Sequence, residues 1–299
     1  GNTIRTWVNG VQCANLVIDL TDEGFIALQV HGIKQKEQEG LTVNWRNIRI
    51  KTTGLAAARW KQDPAVEEIN YLPNQLTERQ ISQGWSLLWD GHSSDGWRRA
   101  NAKDFPRTGW EIENGILKVL PSTKGDPNKG GDIVTEREFS DFELELDFLV
   151  SKGGNSGIKY LVVEELRPTP GTGLGPEYQI LDDQNHPDAK NGRDGNRTIG
   201  SLYDLITAGN LHEPGKNKRV NAPGKWNRAK IVVKGNHVEH WLNHIKVLEY
   251  DRSSPMFKTL VAQSKFNQVP DFGQAPSGHI LLQDHSDLVC FRSIKIKEL

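Results

Sequence analysis

The sequence predicts an all-β protein: a β-sandwich preceded by part of a second one. Three observations carry that expectation. Short runs alternate apolar and polar side chains at period two, Asn-Gly and Asp-Gly pairs recur between them, and little of the chain reads as helix. Twenty-nine glycines and nine tryptophans in 299 residues suit a turn-rich sheet protein.

Taken in order, Thr3–Val8 alternates and closes on Asn9-Gly10, a hairpin signal. Val11–Asp19, Phe25–His31 and Val43–Ile50 read as further strands. Residues 52–83 read as a linker, with a helical turn near Leu55–Trp60 and a short helix capped by Thr77. Residues 84–299 read as one complete domain. Ser86–Trp89 runs into Asp90-Gly91, and Gly109–Glu113 and Ile116–Leu120 flank Asn114-Gly115. Phe142–Phe148 alternates most clearly, with one apolar and one acidic face. Regular strands of this kind predict a sandwich or jelly roll.

The chain also repeats itself. Ile26–His31 matches Ile280–His285, Trp45–Lys51 matches Phe291–Lys297, and Trp7-Val8-Asn9 matches Trp241-Leu242-Asn243. Residues 1–51 therefore read as the closing half of a duplicated domain. About four strands with one apolar face cannot bury it alone, so we expect this half to pack on a missing half-domain or on another chain.

Composition excludes several classes. With 37 basic and 38 acidic residues, the net charge of −1 gives no case for nucleic acid. No apolar run approaches a membrane span of about 20 residues. Cys13 and Cys290 make no disulfide framework, and we expect free thiols. Serine-hydrolase, zincin, zinc-ribbon and dinucleotide-binding motifs are absent.

Candidate chemistry gathers on three stretches. In Gly175–Asp183, Glu177 and Gln179 share one strand face, and the strand runs into Asp182, Asp183 and a polar loop. An ordinary solvated strand end has the same composition. Asn155 and Lys159 share a face after a glycine-rich turn, and Gln283 shares one with His285. Adjacent strands would bring such faces together into one sugar-binding groove. Alternation puts Arg292 with Ile294 and Ile296 on the core side, where a structural ion pair is as good a reading as a ligand clamp. His237, His240 and His244 read as surface.

Motifs at 84–91, 110–115, 139–144, 154–158, 175–182, 200–203, 224–227, 282–285 and 291–294 together resemble the 3-keto-disaccharide hydrolase domain family. The resemblance implies a concanavalin A-like jelly roll and cleavage of glycosides oxidised at C3. It implies Glu177, His285 and Asp182 as acid–base or metal-ligand candidates. Asn155, Lys159, Gln179, Asp183, Tyr203, Gln283 and Arg292 would bind the carbohydrate, and a divalent metal ion is a further candidate. It also implies export to the periplasm or cell surface, although no signal peptide is visible. Three departures stand out: Lys159-Tyr160 where an Arg is usual, Ser286 for Gly, and Ser293 for Asn. A lectin-like binding module without catalysis is the alternative.

Overall fold

The computed structural model describes every residue except Gly1, Asp22, His31, Arg59 and Lys124. The chain divides into two compact units, residues 1–72 and 73–299.

In the first unit, β1 (Thr3–Val8) and β2 (Val11–Val17) form an antiparallel hairpin. Asn9 (φ 50°) and Gly10 (φ 83°) supply the two left-handed turn residues that such a hairpin requires. A short β3 (Ile69–Asn70) lies parallel to β2. The strands expected at Phe25–His31 and Val43–Ile50 do not form: their described residues pair with no strand, and His31 lies outside the described residues. Their apolar side chains face solvent, with Ile26 77% and Ile48 65% exposed, whereas the matching Ile280 and Ile294 are fully buried. Alternation alone gives an apolar face, and a strand needs a partner ladder to hold it.

The second unit is all-β with two short helices. It begins with α1 (Glu78–Ser82), whose cap Thr77 accepts from the Gln80 N–H while the Gln80 side chain accepts from the Thr77 N–H. The strands follow: β4 (Trp85–Leu87), β5 (Trp97–Arg99), β6 (Trp110–Glu113), β7 (Ile116–Val119), β8 (Ile133–Thr135), β9 (Phe142–Val150), β10 (Asn155–Val162) and β11 (Glu177–Leu181). Then come β12 (Trp226–Lys234), β13 (His237–Leu242), β14 (Ile245–Asp251), α2 (Pro255–Ala262), β15 (His279–Leu282) and β16 (Val289–Glu298). One sheet runs β11-β10-β15-β8-β5; the larger runs β14-β13-β12-β9-β16-β7-β6, with β4 on β16.

The two sheets bury one core between them, as a β-sandwich does. Ile158, Tyr160, Tyr178, Ile180 and Leu282 of the smaller sheet share it with Leu144, Phe148, Ile231, Phe291 and Ile296 of the larger. His240 is wholly buried in this layer, which corrects its reading as surface. Its Nε2 lies 2.8 Å from the Tyr160 hydroxyl, that hydroxyl lies 2.8 Å from Tyr250, and Nδ1 lies 2.9 Å from the Gly200 carbonyl. Burial without an opposite charge pushes the imidazole down to about 4.

The outer face of the larger sheet carries a ladder of charge pairs: Glu143 with Lys230 and Lys297, Glu145 with Arg228 and Lys295, and Asp147 with Arg228 and Arg292. This is the acidic face expected of β9.

Candidate functional site

Pairing of the smaller sheet sets the site. In β10 and β11, Lys159 pairs with Glu177, Gly157 with Gln179, and Asn155 with Leu181. In β10 and β15, Ile158 pairs with Leu282, and the Gln283 N–H donates to the Gly157 carbonyl at 3.0 Å. Period-two alternation then places Asn155, Gly157, Lys159, Glu177, Gln179 and Gln283 on the face away from the core. His285 follows in the loop after β15.

Gly157 is the seat of this arrangement. A methyl group built there would sit 2.3 Å from Glu177 Oε1, so the carboxylate lies directly over the glycine. Glu177 is buried, and burial raises its pKa against the pull of Lys159 and Lys265. Lys159 is also buried. Its Nζ lies 3.3 Å from Asp132 Oδ2 and 3.2 Å from the Gly173 carbonyl. Burial opposes its charge, but Asp132 and Glu177 prevail and raise its pKa. One buried ammonium thus faces two carboxyl groups, and the three titrate as a unit.

Asp132, Lys159, Gln283 and His285 line one hollow of about 560 Å³. His285 is the exposed member. Partial burial of its ring lowers its pKa, and only then does Asp287 raise it. Glu177 does not line this hollow; it is the strand partner of Lys159, which does. Asn155 and Gln179 hold each other, with Gln179 Nε2 donating to Asn155 Oδ1 at 3.2 Å. Gln179 Oε1 is buried without a partner among the described residues. Tyr203 stays near the acid: its N–H donates to the Glu177 carbonyl at 3.0 Å and its hydroxyl to Asp188 Oδ2 at 2.8 Å.

Three predicted site residues do other work. The Asp182 carboxylate accepts from the N–H groups of Gly153 and Gln184 and from the Asn185 amide, which hold its pKa down despite burial. It is a loop brace. Asp183 accepts from the Ile199 N–H at 2.7 Å and pairs with Lys218. Both aspartates line a different hollow of about 420 Å³. Arg292 is on the larger sheet, paired with Asp147 at 3.4 Å and stacked 4.1 Å above Trp226. The expected alternation fails because the β16–β9 register shifts between Arg292 and Lys295, around Ser293 at φ 55°. That bulge turns Arg292 outward, away from both the core and the site.

Sequence reading missed Asp132, Lys265 and the grouping of His186 and Asp287 with His285. Lys265 follows α2; its N–H donates to Asp204 Oδ2, and its Nζ sits 4.0 Å over the Tyr203 ring. Neither Asp132 nor Lys265 lies in a run that marks it. His186, His285 and Asp287 bring one ligand atom each within 4.8 Å of one another and could hold a divalent cation, as could His237, Glu239 and Glu249 on the surface. The latter carboxylates already pair with Lys246.

Comparison with known proteins identifies the family. A model of the 3-keto-alpha-glucoside-1,2-lyase-like domain matches residues 1–51 and 84–297. A "3-keto-disaccharide hydrolase" of Bacteroides thetaiotaomicron is 38% identical over 238 residues, covering 73% of this chain and 79% of that protein. Two crystal structures from Parabacteroides distasonis, each titled a "putative glycosyl hydrolase", are also similar. One is 31% identical with a TM-score of 0.63, covering 76% of this chain and all of the other. The second is 27% identical with a TM-score of 0.49, covering 68% and 99%. The chain belongs to the family of 3-keto-alpha-glucoside-1,2-lyase-like domains, which act enzymatically on carbohydrates.

Proposed function

We propose that the chain cleaves glycosides whose sugar ring carries a ketone at C3, by elimination followed by hydration. The observation that carries this is a pair of proton carriers of different type, Glu177 on the outer face of β11 and His285 in the loop after β15, whose burial favours the uncharged form of each: Glu177 is shifted upward and His285 downward. A C3 ketone acidifies the C2 proton. His285, neutral, takes that proton. The C1–oxygen bond breaks, and the Glu177 carboxyl gives its proton to the departing oxygen. Charge collecting on the C3 oxygen is met by the Lys159 ammonium. Water then adds across the C1–C2 double bond, so the net reaction is hydrolysis. Asn155, Gln179, Gln283 and Tyr203 orient the hydroxyls.

The donor set of His186, His285 and Asp287 fits a divalent cation, an alternative use of His285 that would take it out of proton transfer. The His186 ring is oriented by its Nδ1, which accepts the Asp188 N–H at 3.1 Å. When bound, the ion would supply positive charge beside the substrate oxygens. The concanavalin A-like jelly roll is our reading of how the two sheets close. Residues 1–51 we read as the closing strands of a second copy, supported by the separate family match there and by apolar side chains exposed where their counterparts are buried. Strands from outside that segment would complete it.

The test is release of sugar from a 3-keto-glucoside. Activity should rise as His285 loses its proton and fall as Glu177 loses its own, giving a bell. Release by Glu177→Gln at the wild-type rate would remove Glu177 from the reaction.

A further inference from the structure

We propose that the hollow in front of His285 binds an anionic group carried by the glycoside, a carboxylate, sulfate or phosphate ester on the leaving portion. This deepens the glycoside-cleaving reading and rests on it. The hollow's walls include Arg99, Lys129 and Arg167. None of the three makes an ion pair or a side-chain hydrogen bond among the described residues. The acids in the same walls are engaged: Asp132 by Lys159, Asp284 by the N–H groups of Gly131 and Ser286, and Asp126 by the Asn128 N–H.

Arg99 carries the argument. It closes β5, and its Nε is buried with no hydrogen-bond partner among the described residues. The guanidinium lies against two glycines: a methyl at Gly171 would sit 2.9 Å from Nε, and one at Gly131 3.2 Å. Both glycines have φ near +75°, at 74° and 77°. Side chains at either position would crowd Arg99, so the walls leave room for it. A buried donor without an acceptor is costly, and an oxyanion offering two oxygens is the ligand that suits an arginine fork. Lys129 adds positive charge at His285 and Arg167 at Lys159, so both cations act on the reacting end of the hollow. An adjoining hollow of about 360 Å³ shares Arg99 and Lys129, which extends the cationic wall away from the sheet. A neutral aglycone would leave these charges unmet.

The experiment compares two aromatic 3-keto-glucosides, phenyl and 4-carboxyphenyl, with the full chain. We expect kcat/KM to favour the carboxylate at least about tenfold at low salt, less so at high salt. The ratio should collapse toward one in Arg99→Gln and fall in Arg167→Gln, an exposed position chosen in case the first variant folds poorly. A wild-type ratio near one, or a ratio unchanged in both variants, overturns the inference. The 4-sulfophenyl and 4-phosphophenyl analogues separate the sources: equal gains mean charge alone is read, and a gain from one names the group. If neither ketone is cleaved, the glycoside-cleaving reading fails by itself. Calorimetry with phenyl and 4-carboxyphenyl glucoside then decides this one, which stands if the carboxylate binds tighter and needs Arg99 and falls if it does not.

Discussion

Gly157→Ala isolates the position of one carboxylate. The backbone there is ordinary strand and lacks the positive φ that would penalise a side chain, so alanine costs the fold nothing through conformation. In the unfolded chain it would even help, by about 0.5–1 kcal/mol. What alanine does is collide with Glu177, its methyl falling 2.3 Å from Oε1, 2.8 Å from Cδ and 2.9 Å from Cγ. Ordinary contact begins at 3.4 Å, so the carboxylate must retreat by about 1 Å, a displacement that costs on the order of 10²-fold in rate for a proton-transferring group. The assay is kcat on a 3-keto-glucoside, with Glu177→Gln as the floor and thermal unfolding as the control for folding. We expect a fall of about 10²-fold with Tm changed by only a few degrees. A crystal structure showing the displaced carboxylate together with a wild-type kcat would refute the reasoning, because Glu177 would then be carrying no proton in the reaction.

Four further outcomes are expected. Arg292→Gln, on the outer face of the larger sheet, should leave kcat within about twofold and lower stability by about 1 kcal/mol through its lost contacts with Asp147 and Trp226, measured by denaturant unfolding. Ser286→Gly should stabilise by about 1 kcal/mol in the same assay, because Ser286 sits at φ 75°. His240 is buried neutral with its pKa near 4, so its contribution is fully present above the unfolded value and is lost as pH falls toward 4; His240→Phe should flatten stability between those limits, where the wild type loses about 3 kcal/mol. Zinc or manganese titrated into the protein should be taken up at His186, His285 and Asp287, and His186→Ala should abolish that uptake, read by calorimetry.

Much of the fold was legible because it is written locally. The Asn114-Gly115 pair makes its hairpin with φ 52° and 74°, and β9 alternates as its residues alternate. The Glu177/Gln179 and Asn155/Lys159 faces follow from the same period of two. What failed was whatever depends on a distant partner. Arg292 was misplaced because a single extra residue at Ser293 reverses the alternation, and nothing in the run Phe291–Lys297 announces it. Phe25–Val30 alternates as well as any strand, yet among the described residues it pairs with none. Asp132 becomes visible only once β8 pairs with β15 and the Asp284 N–H reaches its carboxylate. Lys265 reaches Tyr203 from a loop some sixty positions away in the chain. Asp182 looked like an acid because its type and place suit one; its four loop hydrogen bonds are a matter of geometry that spacing does not encode.

The buried chain Tyr250–Tyr160–His240 spans the sandwich from β14 and β13 to β10. It acts as a rivet through both layers at the strand that presents Lys159 and Gly157. Sliding one sheet over the other would break two short hydrogen bonds in a dry interior, so the floor under the substrate is stiff. Adaptation to different leaving groups therefore falls to the loops around 121–131 and 163–175, and laboratory evolution of substrate range should begin there rather than in the strands.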